Sequence, residues 1–249
     1  LQLPPDRIAS GDTVRFFETL DSTMEEARRL YASGVPSPCW IAAGEQTAGR
    51  GRQGRTWTSP PGNLHLTLLL PTRTPLRDQP KLGFVAGVAL ARAVGQHLPA
   101  QVSVQLKWPN DLLVEGAKVS GLLLEGLGQG AAVAIGMGIN IVANPPDTPY
   151  PTANLRQFAP GLTADAVFAS LSTYLAEELE SFSEGAGFAL TRQRWLAKAA
   201  HLGKSVRVHR EPVALEGTFL DIDIEGRLKL QTADGPVLVD AGDVFPLDK

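Results

Sequence analysis

From about Gly203 to the C-terminus the chain changes texture, and that change limits its folds more than any other feature. Four short β-rich runs, Ser205–His209, Val213–Asp221, Arg227–Gln231 and Val237–Asp240, follow one another with turn residues between them. Glu225-Gly226 and Asp234-Gly235 sit at two junctions, and Asp-Gly between apolar runs is a strong hairpin signal. These 47 residues of closely spaced strands predict a small barrel. So short a segment has too little core to stand alone, so it should pack on what precedes it.

Upstream, strands and helices mix without a steady βαβ rhythm. Asp21-Ser22-Thr23 precedes Met24, Ala27, Leu30 and Tyr31 at helical spacing. Glu25 and Glu26 each stand three positions after a hydroxyl residue, as in a capping box, and Gly34 and Pro36 mark the end. Cys39–Ala43 and Leu64–Leu70 read as strands, the second alternating so poorly that both of its faces should be buried. Leu82, Val85, Ala86, Ala89, Leu90, Ala93 and Val94 make an apolar helical face closed by Gly95. Val102–Lys107, Leu112–Val114, Val119–Leu124 and Ala132–Ile139 are further strands. After a Pro-rich loop at Asn144–Pro151, Thr163–Phe182 and Phe188–Ala199 are helical. The order predicts an α+β fold, a mixed β-sheet covered by helices over residues 1–202, followed by the barrel at 203–249.

Charge and cysteine content exclude several function classes. With 23 Lys+Arg against 26 Asp+Glu the net charge is -3, so no chain-wide footprint for nucleic acid exists and basic chemistry must be local. The single Cys39 excludes an internal disulfide framework and a Cys-based zinc cluster, and favours a reducing compartment. No apolar run approaches the ~18–20 residues of a membrane span, and no signal segment opens the chain. A cytoplasmic globular protein without membrane contact is expected. His65, His97, His201 and His209 show no metal-ligand pairing, and Cys39 beside Trp40 in an apolar strand should be buried.

Local basic chemistry is concentrated between Gly44 and Trp57. Three Arg and three Gly interleave over Gly49–Arg55. Gly lets backbone approach a ligand, and Arg offers planar, permanently charged donors for phosphate or carboxylate. An anionic small ligand, a nucleic-acid arm and a solvated loop all suit that composition, and its glycine content implies disorder until a ligand arrives. No Gly-Lys-Ser/Thr closes it, so it is not a Walker loop.

A second segment reads Lys107-Trp108-Pro109-Asn110-Asp111-Leu112, then Lys118-Val119-Ser120-Gly121-Leu122. Pro109-Asn110-Asp111 should make a tight turn, and hairpin pairing across it could bring Lys107 and Lys118 together. A lysine at a strand end can hold phosphate as a point charge or be merely solvated.

Together these segments resemble the biotin protein ligases. The blocks are Asp21-Ser22-Thr23, Gln46–Trp57, Gly62-Asn63-Leu64, Lys107–Leu112, Lys118–Leu122 and Gly136-Met137-Gly138-Ile139-Asn140, in the family's order. Met24 stands where Asn is common. The resemblance implies a class II synthetase-like catalytic domain and a C-terminal SH3-like barrel. It implies two reactions: biotin's carboxylate attacks the α-phosphorus of ATP with Mg²⁺, giving biotinyl-5′-adenylate and pyrophosphate. A lysine of a biotin carboxyl carrier protein, as in acetyl-CoA carboxylase, then takes the biotin as an amide.

Roles follow from that resemblance. Ser22, Thr23 and Gln46 would pair biotin's uncharged ureido ring, although Ser22 and Thr23 could equally cap the helix. Arg50, Gly51 and Arg52 would wrap the carboxylate and α-phosphate, because two anionic reactants need fixed positive charge between them. Lys118 leads, and Lys107 follows, as electrostatic catalysts. Asp111 would serve Mg²⁺ or the incoming lysine's proton. Gly121 and Gly138 would permit close ligand approach, strand packing being the alternative. Asn110 is assigned to the nucleotide, Trp108 to adenine stacking or to the core, and Asn140 to the nucleotide or to ending its strand. The loop Tyr150–Leu155 lies where the family closes over adenosine. Only 20 residues precede Asp21, too few for the DNA-binding domain some members carry, so no DNA partner is expected. Homodimerisation stays open. The rival readings are a lipoate or octanoate attachment enzyme, an RNA- or DNA-binding module using the Arg loop, and a non-catalytic biotin or nucleotide sensor.

Overall fold

The computed structural model describes residues 12–35, 38–183, 187–210 and 213–247. Its main sheet is built from β1 (Thr13–Leu20), β2 (Cys39–Gln46), β3 (Leu64–Pro71), β4 (Val104–Lys107), β5 (Asp111–Val114), β6 (Ala117–Leu127) and β7 (Ala132–Ile139). The strands lie in the order β1-β2-β3-β7-β6-β5-β4. β1 runs parallel to β2 and every other pair is antiparallel, which makes the sheet mixed. Sequence patterning missed β1: in Thr-Val-Arg-Phe-Phe-Glu-Thr-Leu the alternation breaks at Phe16-Phe17 and Glu18-Thr19, and the strand is a half-exposed edge.

Helices cover both faces. α1 (Thr23–Ala32) buries Met24, Ala27 and Leu30 against Cys39, Ile41, Leu69, Ala132 and Ala134. Each such fully buried large side chain contributes roughly 1.5–3 kcal/mol. α2 (Leu82–Gln96), α3 (Ala164–Ser181) and α4 (Gly187–Leu196) belong to the larger cluster on the opposite face, with Leu64, Leu66 and Leu68. β3 therefore buries both faces, as its poor alternation predicts.

The start of α1 differs from a capping box. Ser22 Oγ accepts from the Met24 N–H at 3.3 Å, but the Ser22 N–H is already taken by Asp21 Oδ1 at 2.7 Å. Glu25 turns instead to Arg28 and Arg50. Gly34 lies past the helix end at φ 72°, and Pro36 is outside the described residues.

The C-terminal sheet comprises β8 (Ser205–Arg210), β9 (Val213–Ile222), β10 (Leu228–Thr232), β11 (Gly235–Val239) and β12 (Asp243–Pro246). Its order is β11-β10-β9-β8-β12, antiparallel throughout. The texture signal found four of these strands and missed β12, which is only four residues long. Val206, Val208, Phe219, Leu228, Leu230 and Val244 join the same apolar cluster as α2, so the barrel packs on the main sheet. Trp108 Nε1 donates to the Gly226 carbonyl at 3.1 Å and Lys81 pairs with Glu225 at 3.1 Å across that junction. Among the described residues no helix is long and apolar enough to cross a membrane.

Candidate active site

A cavity opens where α1, the Arg-rich segment, the β4–β5 hairpin, β6, β7 and β12 converge. Twelve of the fourteen site residues expected from the sequence line it: Ser22, Thr23, Gln46, Arg50, Gly51, Arg52, Lys107, Asn110, Asp111, Lys118, Gly121 and Gly138.

One end is neutral and tightly hydrogen-bonded. Thr67 Oγ1 donates to Thr23 Oγ1 at 2.8 Å, and Thr23 Oγ1 donates on to Gln46 Oε1 at 3.1 Å. The Thr23 N–H also donates to Gln46 Oε1, at 2.8 Å, and Gln46 Nε2 donates to Ser59 Oγ at 2.9 Å. Ser22, Thr23 and Thr67 are buried, so this chain fixes the direction of every donor and acceptor. Thr67 and Ser59 carried no sequence signal, since a threonine within an apolar strand reads as filler.

The other end is cationic. Lys107 and Asp111 are paired across the β4–β5 hairpin, with Trp108-Pro109-Asn110 as the turn and a cis Trp108-Pro109 bond. Asp111 thus opens β5 rather than sitting within the turn. Lys118 Nζ contacts Asp111 Oδ1 at 2.7 Å. The expected approach of Lys107 and Lys118 is realised over one ring: their Nζ atoms lie 5.8 and 5.4 Å from the centroid of Tyr150. Tyr150 arrives there because Pro151–Ala153 pairs with the start of β6, Lys118 N–H donating to Pro151 O and Ala153 N–H to Lys118 O. Burial lowers the Lys107 pKa; Asp111 opposes the shift and the neighbouring Lys118 charge adds to it.

The Arg-rich segment folds back on itself beside this end of the cavity. It forms a narrow hairpin with an Arg50↔Thr56 bridge, Gly51 N–H donating to Arg55 O at 2.7 Å and Trp57 N–H to Gly49 O at 2.9 Å. Side chains reinforce it: Arg50 pairs with Glu25 at 2.6 Å and Arg52 Nη1 donates to Asn110 Oδ1 at 3.0 Å. Burial lowers the Arg52 pKa, with Asp243 opposing.

Two expected residues lie elsewhere. Trp108 is buried in the core with its indole N–H on the barrel, which favours the core alternative. Asn140 is buried, its Nδ2 donating to Ala153 O at 3.2 Å, and it lines an adjoining cavity. Asn63 shapes that end of β7, its Oδ1 accepting from the N–H groups of Ile141, Val142 and Ala143. Thr56, Trp57, Lys118 and Tyr150 line both cavities, so they adjoin.

Trp57 is the wall between them. A Cβ on Gly138 would lie 2.2 Å from Trp57 Cε2, and one on Gly121 3.3 Å from Trp57 Cζ3. Both glycines therefore serve close approach, here of the indole. Trp57 Nε1 is buried with no hydrogen-bond partner among the described residues. Asp243 and Phe245 of β12 complete the lining.

The family model described as biotin/lipoate A/B protein ligase matches residues 16–141, and that of the biotin protein ligase C-terminal domain matches residues 201–245. A biotin–[acetyl-CoA-carboxylase] ligase of Paracoccus denitrificans is 38% identical over 90% of this chain and 97% of its own. The chain belongs to the biotin/lipoate A/B protein ligase family. Solved biotin protein ligases share the fold. That of Aquifex aeolicus in complex with biotin and ATP has a TM-score of 0.82 at 26% identity, covering 93% of this chain and 97% of that one. That of Leishmania major in complex with biotinyl-5-AMP has a TM-score of 0.67 at 27% identity, covering 97% and 99%.

Proposed function

We propose that this chain activates biotin with ATP as biotinyl-5′-adenylate and transfers it to a lysine of a carboxylase's biotin carrier. The observation that carries this reading is a single cavity with two chemically different ends. A neutral, pre-oriented hydroxyl–amide chain suits a ureido ring, which must be paired when it leaves water. The cationic end suits a carboxylate and a phosphate brought together. The 38% identical relative bears the name of such a ligase, and the Aquifex aeolicus and Leishmania major structures hold biotin with ATP and biotinyl-5-AMP.

In the first step a carboxylate oxygen bonds to the α-phosphorus and the bond to pyrophosphate breaks. Arg50, Arg52, Lys107 and Lys118 would hold the two anions against their mutual repulsion and stabilise charge on the phosphorus oxygens. Ser22, Thr23 and Gln46 would fix the ring end, with Gly51, Gly121 and Gly138 giving space for ligand and indole. Asn140 and Trp57 would hold the nucleotide in the adjoining cavity. In the second step a carrier amine attacks the acyl carbon and AMP leaves, the proton passing to Asp111 or to solvent.

Among the described residues no group of three or more His, Cys, Asp or Glu side chains converges to hold a metal. Asp111 is already engaged by Lys118 and Asp243 by Arg55. This donor set does not fit a Mg²⁺ ion held by protein groups alone, so the ion would arrive on the ATP phosphates. We further infer a division into a catalytic domain at 1–202 and a barrel at 203–249, and no DNA-binding role for either.

Transfer is tested by incubating the chain with ATP, labelled biotin and a biotin carrier domain. Label on the carrier lysine, lost when that lysine is replaced by Arg, supports the reading. Adenylate formation without transfer to any biotin carrier would overturn its second half.

A further inference from the structure

The Arg50–Arg55 hairpin is fastened from the barrel. Arg55 presents Nη1 to Asp243 Oδ2 at 3.0 Å and Nη2 to Asp243 Oδ1 at 3.2 Å, a two-point contact with one carboxylate. Arg52 Nη1 lies 4.0 Å from the same Oδ1, and Arg55 Nε donates to the Arg52 carbonyl at 3.2 Å. Asp243 opens β12 in register with His209 of β8, and the next residue, Val244, is buried in the barrel. The carboxylate therefore stands on a strand of the barrel sheet, whereas the hairpin holds itself by one isolated bridge and three backbone hydrogen bonds.

Asp243 also lines the cavity end that carries Arg50, Arg52, Lys107 and Lys118, where the other carboxylate, Asp111, is paired with Lys118. A carboxylate there would repel an anionic ligand unless Arg55 and Arg52 neutralise it. Its location makes physical sense as a tether for those two arginines, not as a ligand group. We propose that Asp243 is a positioning residue, holding the Arg hairpin over the cavity so that the acyl-adenylate stays enclosed until the carrier amine arrives. The barrel thereby takes part in retaining the intermediate. This rests on the adenylating reading above.

Two readouts on the full chain test it. The first is hydrogen exchange of the Gly51 and Trp57 amides without ligand. The second is the rate at which free adenylate leaves after a single turnover without carrier. For Asp243→Asn both should rise about fivefold or more, the coupling of a contacting pair, with the melting temperature unchanged. Asp243→Glu should restore most of the effect. Arg55→Gln should match Asp243→Asn, and the double variant should be no worse than either. A purely electrostatic role predicts instead a lower KM for ATP with the amides unmoved. Unchanged loop amides, unchanged escape despite loosened amides, or additive effects in the double variant would overturn the proposal. If the wild type forms no adenylate the functional reading fails, while the amide readout still decides whether Asp243 anchors the hairpin.

Discussion

Lys118 Nζ lies 2.7 Å from Asp111 Oδ1 across adjoining strands β5 and β6, with both side chains mostly buried. A charge held in this way is oriented before the ligand arrives, which is what electrostatic catalysis needs. Lys118→Met should slow biotin-dependent pyrophosphate exchange by about a hundredfold or more, the scale of losing one oriented stabilising group. Exchange kinetics on the folded variant check this. A loss of only about twofold would remove Lys118 from the chemistry.

The Thr67–Thr23–Gln46 chain makes a distinct prediction, because Thr67 is not among the residues lining the cavity. Thr67→Val keeps the shape and removes the donor that orients the Thr23 hydroxyl. Biotin affinity should fall about fivefold, near 1 kcal/mol for one hydrogen bond, with kcat nearly unchanged. Calorimetric titration of biotin against wild type and variant measures it, and equal affinities would show that Thr67 is packing alone.

Of the two glycines that face Trp57, Gly138 has the less room. Its added Cβ would meet Trp57 at 2.2 Å, and β7 is clamped between β3 and β6, so the indole must move. Gly138→Ala should weaken biotin or ATP binding about tenfold and raise acrylamide quenching of tryptophan emission. Trp40, Trp108 and Trp195 stay buried and report little. Unchanged quenching would mean that the indole does not rest on this glycine.

His65 sets a pH limit on stability. Burial lowers its pKa from 6.5 to about 4, the Pro60 carbonyl opposing weakly. The unfolded chain therefore binds this proton first as pH falls, so stability is full above 6.5 and drains away down to about 4. The loss is about 3 kcal/mol in size, from the worth of a pKa unit. Melting temperatures between pH 7 and pH 4 should fall more steeply for wild type than for His65→Phe. Parallel curves would contradict a buried neutral imidazole.

The sequence was most informative where function demands particular residue types close together in the chain. The Arg-Gly segment and the paired lysines reached one cavity because strand pairing across short connections carries Lys107, Asp111 and Lys118 to the same edge. It was silent where a contributor comes from far away. Asp243 and Phe245 belong to a four-residue strand with no local signal and enter the site only because the barrel packs there. β1 escaped notice because an edge strand needs no alternating burial. Trp108 illustrates a different limit: a conspicuous aromatic in the β4–β5 turn is buried in the core, with its indole N–H on the Gly226 carbonyl of the barrel. The order of the Arg hairpin was also illegible, since Glu25, Asn110 and Asp243 tie it down from three separate parts of the chain.

The central claim is that this cavity activates biotin as an adenylate. Exchange of labelled pyrophosphate into ATP, run with biotin, lipoate and octanoate in parallel, tests it most directly. The account predicts exchange that depends on biotin and is absent with the other two acids. Exchange with lipoate alone, or none with any acid from a folded chain that binds biotin, would contradict it.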